Sequence, residues 1–90
     1  MSTLANRALG TPAIVLSPLA VAARCDETAL WVQLADGREI SAPLAWFPRL
    51  LRATPEQRQQ WELIGQGEGI HWEDIDEDIS VASLLGLASD

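Results

Sequence analysis

The stretch GIHWEDIDEDIS, residues 69–80, holds the side chains of this sequence that are best suited to chemistry. It contains His71, the single histidine of the chain, and five acidic residues directly behind it. An imidazole beside carboxylates is typical of metal sites and of general acid–base pairs. The stretch therefore raises three hypotheses: a cation site, a catalytic site, or a strand end followed by a solvated acidic turn and a helix cap.

The acidic residues do not form a calcium loop of the EF-hand type. Asp74, Asp76 and Asp78 have the spacing of the first three ligands of that loop. The loop also requires glycine at its sixth position and glutamate at its twelfth, where this chain has Ile79 and Leu85. Solvated carboxylates are therefore the interpretation that the pattern favours, and a weak site for a hard cation stays open as the alternative.

The histidine does not complete a known zinc or hydrolase motif either. His71 and Glu73 form the HxE pair that opens the zinc deaminase signature, but no PCxxC element follows. One histidine and one cysteine, Cys25, cannot close a zinc site in a single chain, and no nucleophile-elbow motif is present. We predict no metal ligand, no cofactor and no enzymatic activity. A metal-dependent enzyme centred on His71 remains the third hypothesis.

The arginines form a second group of functional candidates. The chain has no lysine, and four of its six arginines lie in residues 38–58, ahead of seven acidic residues in 62–78. The two blocks can face each other or water, or the arginines can meet an acidic partner. The block also supports an alternative function, a transcriptional regulator that binds nucleic acid through Arg38–Arg58. The net charge of −7 opposes binding to phosphates, so nucleic acid is not the partner we predict.

Length and composition predict one domain in a reducing cytoplasm. Ninety residues can build one hydrophobic core but not two, and 48% of them are hydrophobic. The single cysteine excludes an internal disulfide. Two prolines interrupt the apolar run in residues 1–24, so we predict neither an export signal nor a membrane span. We expect a loose lead-in over 1–13, a domain over 14–86 and a tail over 87–90, and a homo-oligomer stays open.

The strand pattern predicts an α+β fold with a small antiparallel sheet and two or three short helices. Leu30, Val32 and Leu34 alternate with the residues between them, and Asp36 and Gly37 then supply a tight turn. Alternation resumes after the turn, which is typical of a β-hairpin. The hairpin around Asp36-Gly37 is the strongest local prediction.

Three segments predict short helices. Pro48 suits a first helical turn, where its missing N–H leaves no hydrogen bond unmade. Thr54 is expected to cap a second helix, with Gln57 completing a capping box. A last helix is expected to open at Asp78 or Ser80 and to dock its leucines on the sheet.

Glycines in residues 65–69 predict a turn between two further short strands. In the second of these strands, Ile70 and Trp72 are expected to face the core and His71 the opposite side. Trp31 is out of phase with its apolar neighbours, so the sequence does not decide whether it faces the core or a partner.

The chain resembles a known family over residues 29–86. The string DGREISAPLAWFPRLLRATPEQRQQWELIGQGEGIHWEDIDEDISVASLL closely resembles the bacterial family known as domain of unknown function 2442. The resemblance rests on the Asp-Gly turn, the Trp-Phe-Pro-Arg-Leu and Ala-Thr-Pro-Glu-Gln-Arg segments, and the Gly-Ile-His-Trp stretch before Asp-Glu-Asp-Ile-Ser. It implies a small α+β domain without established enzymatic activity. Many members are encoded beside a second small protein, which implies an antitoxin-like role.

From this resemblance we predict a non-enzymatic interaction module, the antitoxin-like member of a two-gene pair. Its partner is expected to be a small protein, the toxin, encoded by the neighbouring gene. The contact surface is expected to combine the region 46–58 with the acidic turn 73–78, because charged groups and an exposed tryptophan are typical of binding surfaces. The predicted partner-binding residues are Trp46, Arg49, Arg52, Arg58, His71, Glu73, Asp74 and Asp76.

Overall fold

A computed structural model describes residues 15–86 as two three-stranded antiparallel β-sheets joined by short helices. Sheet A contains, in chain order, β1 (Ala20–Cys25), β2 (Ala29–Leu34) and β3 (Glu39–Pro43). Sheet B contains β4 (Trp61–Ile64), β5 (Gly69–Trp72) and β6 (Glu77–Ser80). The helical segments are a 3-10 turn (Leu44–Trp46), α1 (Pro48–Leu51), α2 (Pro55–Arg58) and α3 (Val81–Leu84). The α+β class is confirmed, but the prediction of one sheet is wrong, because the strands divide into two sheets.

The predicted hairpin is formed by β2 and β3 around Asp36-Gly37. Gly37 has a φ of 96°, a conformation that glycine adopts without steric cost. The side chains of Leu30, Val32 and Leu34 are fully buried, as the alternation predicts. Trp31 lies on the opposite, outer face and so does not face the core.

Local capping signals set the two helices between the sheets. Pro48 is the first residue of α1 and Leu50 of that helix is buried. In α2 the Thr54 hydroxyl accepts from the backbone N–H of Gln57 at 3.1 Å, and the Thr54 N–H donates to the Gln57 side chain at 2.9 Å. This is the predicted capping box.

The acidic stretch is not only a turn. Residues 73–76 form the turn, but Glu77–Ser80 pairs with β5 as the third strand of sheet B. Ser80, and not Asp78, caps α3, since its hydroxyl accepts from the Ser83 N–H at 3.2 Å. The expectation of a solvated turn running directly into a helix is therefore wrong for β6, which pairs with the preceding strand β5 across the turn 73–76.

The sheets meet where the β4–β5 turn crosses β1. The Ala20 N–H donates to the Gly67 carbonyl at 2.8 Å, and the Val81 N–H donates to the Glu68 carbonyl at 3.0 Å. Gly67 is buried with a φ of 110°, and a Cβ atom there would overlap the backbone of Ala20. Glycine is therefore required at this crossing.

One apolar cluster fills the space between the elements of both sheets. It contains Leu30, Val32 and Leu34 of sheet A and Ile70 and Trp72 of sheet B. Within residues 15–86, no polar or charged residue is buried. The charged side chains are thus left to the outer faces and the turns, where the candidate sites lie.

The remaining sequence expectations concern the ends of the chain and the membrane. The lead-in predicted for 1–13 and the tail predicted for 87–90 lie outside the described residues. Across the part of the chain that is described, no helix has the length and apolar character needed to cross a membrane.

Candidate functional site

His71 lies at the centre of a charged row on the outer face of sheet B. The strand register places it opposite Glu62 of β4 on one side and Asp78 of β6 on the other. Its Nδ1 atom is hydrogen-bonded to Asp78 Oδ1, and its Nε2 atom lies 2.7 Å from Glu73 Oε1. As predicted, Ile70 and Trp72 point into the core while His71 points away from it.

The two bonded carboxylates determine the charge of the imidazole. Glu73, and after it Asp78, stabilise the protonated ring and raise the pKa of His71 to about 9, against a smaller opposing effect of desolvation. At neutral pH the ring is therefore positively charged and donates from both nitrogens. In that state it has no lone pair with which to act as a general base.

Glu62 completes this cluster, and the sequence analysis missed it. One donor atom from each of Glu62, His71 and Glu73 lies within 4.8 Å of the others. The signal was present in the sequence: a four-residue turn over 65–68 places Glu62 directly across from His71. A turn position known only approximately does not fix that register.

The acidic turn and the arginine block meet within the protein. Arg49 Nη1 donates to the backbone carbonyl of Asp76 and lies 3.9 Å from carboxylate oxygens of Asp76 and Glu77. Gln57 of α2 donates to Asp74 at 2.8 Å. Of the two arrangements that the sequence left open, the blocks face each other at these residues.

Arg58 supports the fold from within the helical segment. Its Nε and Nη2 atoms donate to the carbonyls of Leu50 and Leu51 at 3.0 and 2.9 Å, which satisfies the open end of α1. The Trp72 indole donates in turn to the Arg58 carbonyl at 3.0 Å. The guanidinium group predicted to bind a partner is thus occupied by backbone carbonyls.

We call three of the exposed side chains in residues 46–52 the Trp46 patch: Trp46, Leu51 and Arg52. Trp46 is 66% exposed and Leu51 46% exposed. The Arg52 side chain is exposed and forms no ion pair within residues 15–86. Buried Leu44 and Leu50 hold the segment in place on either side of Trp46.

The arginines do not form a continuous cationic surface. Arg38 belongs to the β2–β3 turn, where it pairs with Asp36 at 2.9 Å. Arg49 faces carboxylates and Arg58 faces carbonyls. Of the block of four, Arg52 alone has no such partner among the described residues. Neutralising many phosphates requires several cations on one surface, so this arrangement gives the nucleic-acid alternative no support.

The outer face of sheet A carries no comparable acidic cluster. Arg24 lies over the ring of Trp31 at 4.7 Å and 3.8 Å from Glu39, while the Trp31 indole donates to Asp26 at 3.2 Å. Burial raises the pKa of the half-buried Cys25 thiol to about 11, so the thiol stays protonated at neutral pH.

Comparison with known proteins places the chain among proteins of unknown function. The family model described as "Protein of unknown function (DUF2442)" matches residues 20–89, which confirms the resemblance and extends it on both sides of 29–86. A crystal structure of a protein of unknown function from Rhodospirillum rubrum is 31% identical, with a TM-score of 0.65. The similarity covers 80% of this chain and 90% of that one. No curated protein matches this sequence.

Proposed function

This chain belongs to the protein family of unknown function DUF2442, and from that premise we propose that it is a non-enzymatic module that binds another protein. The observation that carries the proposal is the exposure of Trp46 on a segment whose Leu44 and Leu50 side chains are buried in the core. A tryptophan offers a large contact area and has only two side-chain torsions to immobilise, so it is a common centre of binding energy at interfaces.

The surroundings of Trp46 define the partner's chemistry. Leu51 adds apolar area, and Arg52 adds a guanidinium that can take a carboxylate in two parallel hydrogen bonds. A matching partner presents an apolar cleft bordered by carboxylates. We propose a small cytoplasmic protein encoded by the neighbouring gene, with this chain in the antitoxin-like role.

The structure changes which predicted residues we assign to contact. Trp46 and Arg52 are retained as direct contacts because both are exposed. Arg49 is assigned to orienting the patch, since its guanidinium already meets Asp76 and Glu77. Arg58 is assigned to supporting α1, and His71 with its carboxylates forms a separate site on sheet B.

The experiment is co-purification from the native operon. Wild-type chain is expected to capture the neighbouring gene's product, and Trp46→Ala to weaken the complex about thirtyfold, as truncation of a central interface tryptophan does. Arg52→Glu is expected to lower capture as well. The matched control is Arg24→Glu on sheet A, which reverses one charge away from the patch.

Two outcomes distinguish an error in the proposed binding surface from an error in the proposed partner. Capture by wild type that persists at full strength in Trp46→Ala and Arg52→Glu means that another surface binds. Absence of capture by a folded wild-type chain rejects the neighbouring gene's product as the partner.

A further inference from the structure

We propose that Glu62, His71 and Glu73 bind a divalent transition-metal ion of the zinc class on the outer face of sheet B. This site is independent of the Trp46 patch, because it uses other side chains on another element. It would connect β4, β5 and the β5–β6 turn through one ion.

The donor set suits such an ion. An imidazole nitrogen with carboxylate oxygens is a ligand set that zinc accepts, whereas magnesium and calcium prefer oxygen ligands alone. Three carboxylates, those of Glu62, Glu73 and Asp78, surround the single imidazole. The cluster therefore carries net negative charge whether or not the ring is protonated, and a cation relieves that repulsion.

Asp78 is not one of the proposed metal ligands, but its hydrogen bond orients the ring of His71. An ionised carboxylate only accepts hydrogen bonds, so both ring nitrogens carry a proton where they face Asp78 and Glu73. Glu73 belongs to the donor cluster and Asp78 does not, so a metal would displace the proton of Nε2 while Nδ1 keeps its hydrogen bond to Asp78. A carboxylate on the far nitrogen of a ligating histidine is the usual arrangement in zinc sites.

The distances require only side-chain adjustment. In a tetrahedral zinc site with bonds of about 2.0–2.1 Å, ligand atoms lie about 3.3–3.5 Å apart. Nε2 and Glu73 Oε1 are 2.7 Å apart, and the three donors lie within 4.8 Å. Both glutamates are exposed, so rotation of their side chains can open the first gap and close the others. Binding replaces the Nε2 proton, which leaves to solvent, and water completes the coordination.

The test is calorimetric titration of the untagged, metal-free chain with zinc chloride at neutral pH. We expect one ion per chain. Glu62→Gln and Glu73→Gln are expected to weaken binding at least about tenfold, and His71→Gln more strongly. Asp78→Asn is expected to cost about tenfold through orientation of the ring. The matched control is Glu27→Gln, which removes the same charge from an exposed residue in the β1–β2 turn and is expected to change nothing.

A cobalt titration supplies a second readout, because electrostatic attraction to the carboxylates without coordination does not change the visible absorption of the ion. Wild type and Glu27→Gln are expected to give a visible absorption band of low-symmetry cobalt, and Glu62→Gln, an exposed substitution that leaves the strand intact, is expected to lose it. Absence of one-to-one zinc binding overturns the proposal. Equal binding by Glu27→Gln and His71→Gln, or displacement of zinc by calcium at equal concentration, overturns it too.

Discussion

The outer faces of sheet A and sheet B have the same strand arrangement and opposite chemistry. Each sheet has three antiparallel strands in chain order, with one side chain per strand aligned across the centre. In sheet A the row places the Arg24 guanidinium over the Trp31 ring. In sheet B it places the His71 imidazole between Glu62 and Asp78.

The two rows differ in the groups that surround their cationic side chains, Arg24 in sheet A and His71 in sheet B. The Arg24 guanidinium spreads its charge against an aromatic face, and both groups keep their water contact at the edges. The His71 ring is instead surrounded by more negative charges than it can neutralise. Sheet A thus presents a self-contained surface, whereas sheet B presents one that can still take up a positive ion.

The largest expected effect comes from breaking the junction between the two sheets. Gly67→Ala combines an unfavourable positive φ with overlap against the Ala20 backbone, and we expect it to lower the free energy of unfolding by at least about 3 kcal/mol. Gly37→Ala is the matched control: its φ is also positive, but no atom lies within 4 Å of the added Cβ. We expect about 1 kcal/mol there by urea denaturation. Equal losses would mean that the crossing contact contributes nothing.

A smaller effect is expected from comparing the two tryptophans with bonded indoles. Trp72→Phe removes the hydrogen bond to the Arg58 carbonyl and leaves a gap in the core, which we expect to cost about 2 kcal/mol. Trp31→Phe removes a bond to Asp26 on the outer face and should cost below about 1 kcal/mol. Thermal unfolding followed by circular dichroism measures both. A larger loss for Trp31→Phe would contradict the assignment of Trp31 to the outer face.

The smallest effect concerns pH and the hairpin of sheet A. The Arg38 side chain, together with the Ser17 N–H, lowers the pKa of Asp36 from 3.8 to about 2. Because the folded state favours the ionised form, the stabilisation is complete above the ordinary pKa and is lost as the pH falls through about 2. The difference in melting temperature between wild type and Asp36→Asn should therefore be largest at neutral pH and shrink below pH 4. A constant difference across that range would show that the carboxylate charge plays no part.

Much of the local structure could be read from the sequence. The Asp36-Gly37 hairpin, the capping box of Thr54 and the opposed faces of Ile70 and His71 all follow from residues within a few positions of each other. The division into two sheets could not be read in this way. Both sheets contain short antiparallel strands, and no local sequence feature indicates that β3 is the last strand of sheet A and β4 the first strand of sheet B.

The candidate sites show the same limit. The sequence indicated His71, Glu73 and the arginine block as groups of interest, but it assigned Arg58 to a partner when its guanidinium bonds to α1. It also missed Glu62, whose place beside His71 depends on strand register. The first outcome depends on how α1 and α2 pack against each other, and the second on the register of the β4–β5 hairpin; residue types and spacing alone do not fix either.

By itself, then, the sequence determined the family, the α+β class, the capping box of α2 and the faces on which Leu30, Ile70 and His71 lie. Their causes are backbone sterics, capping hydrogen bonds and the two-residue period of a strand, which act between near neighbours. Only the tertiary structure decided that the strands divide into two sheets, that Gly67 must touch Ala20, and that the Arg49 guanidinium meets the turn 73–76. Those features depend on contacts between distant segments, which form once the apolar faces of both sheets share one core.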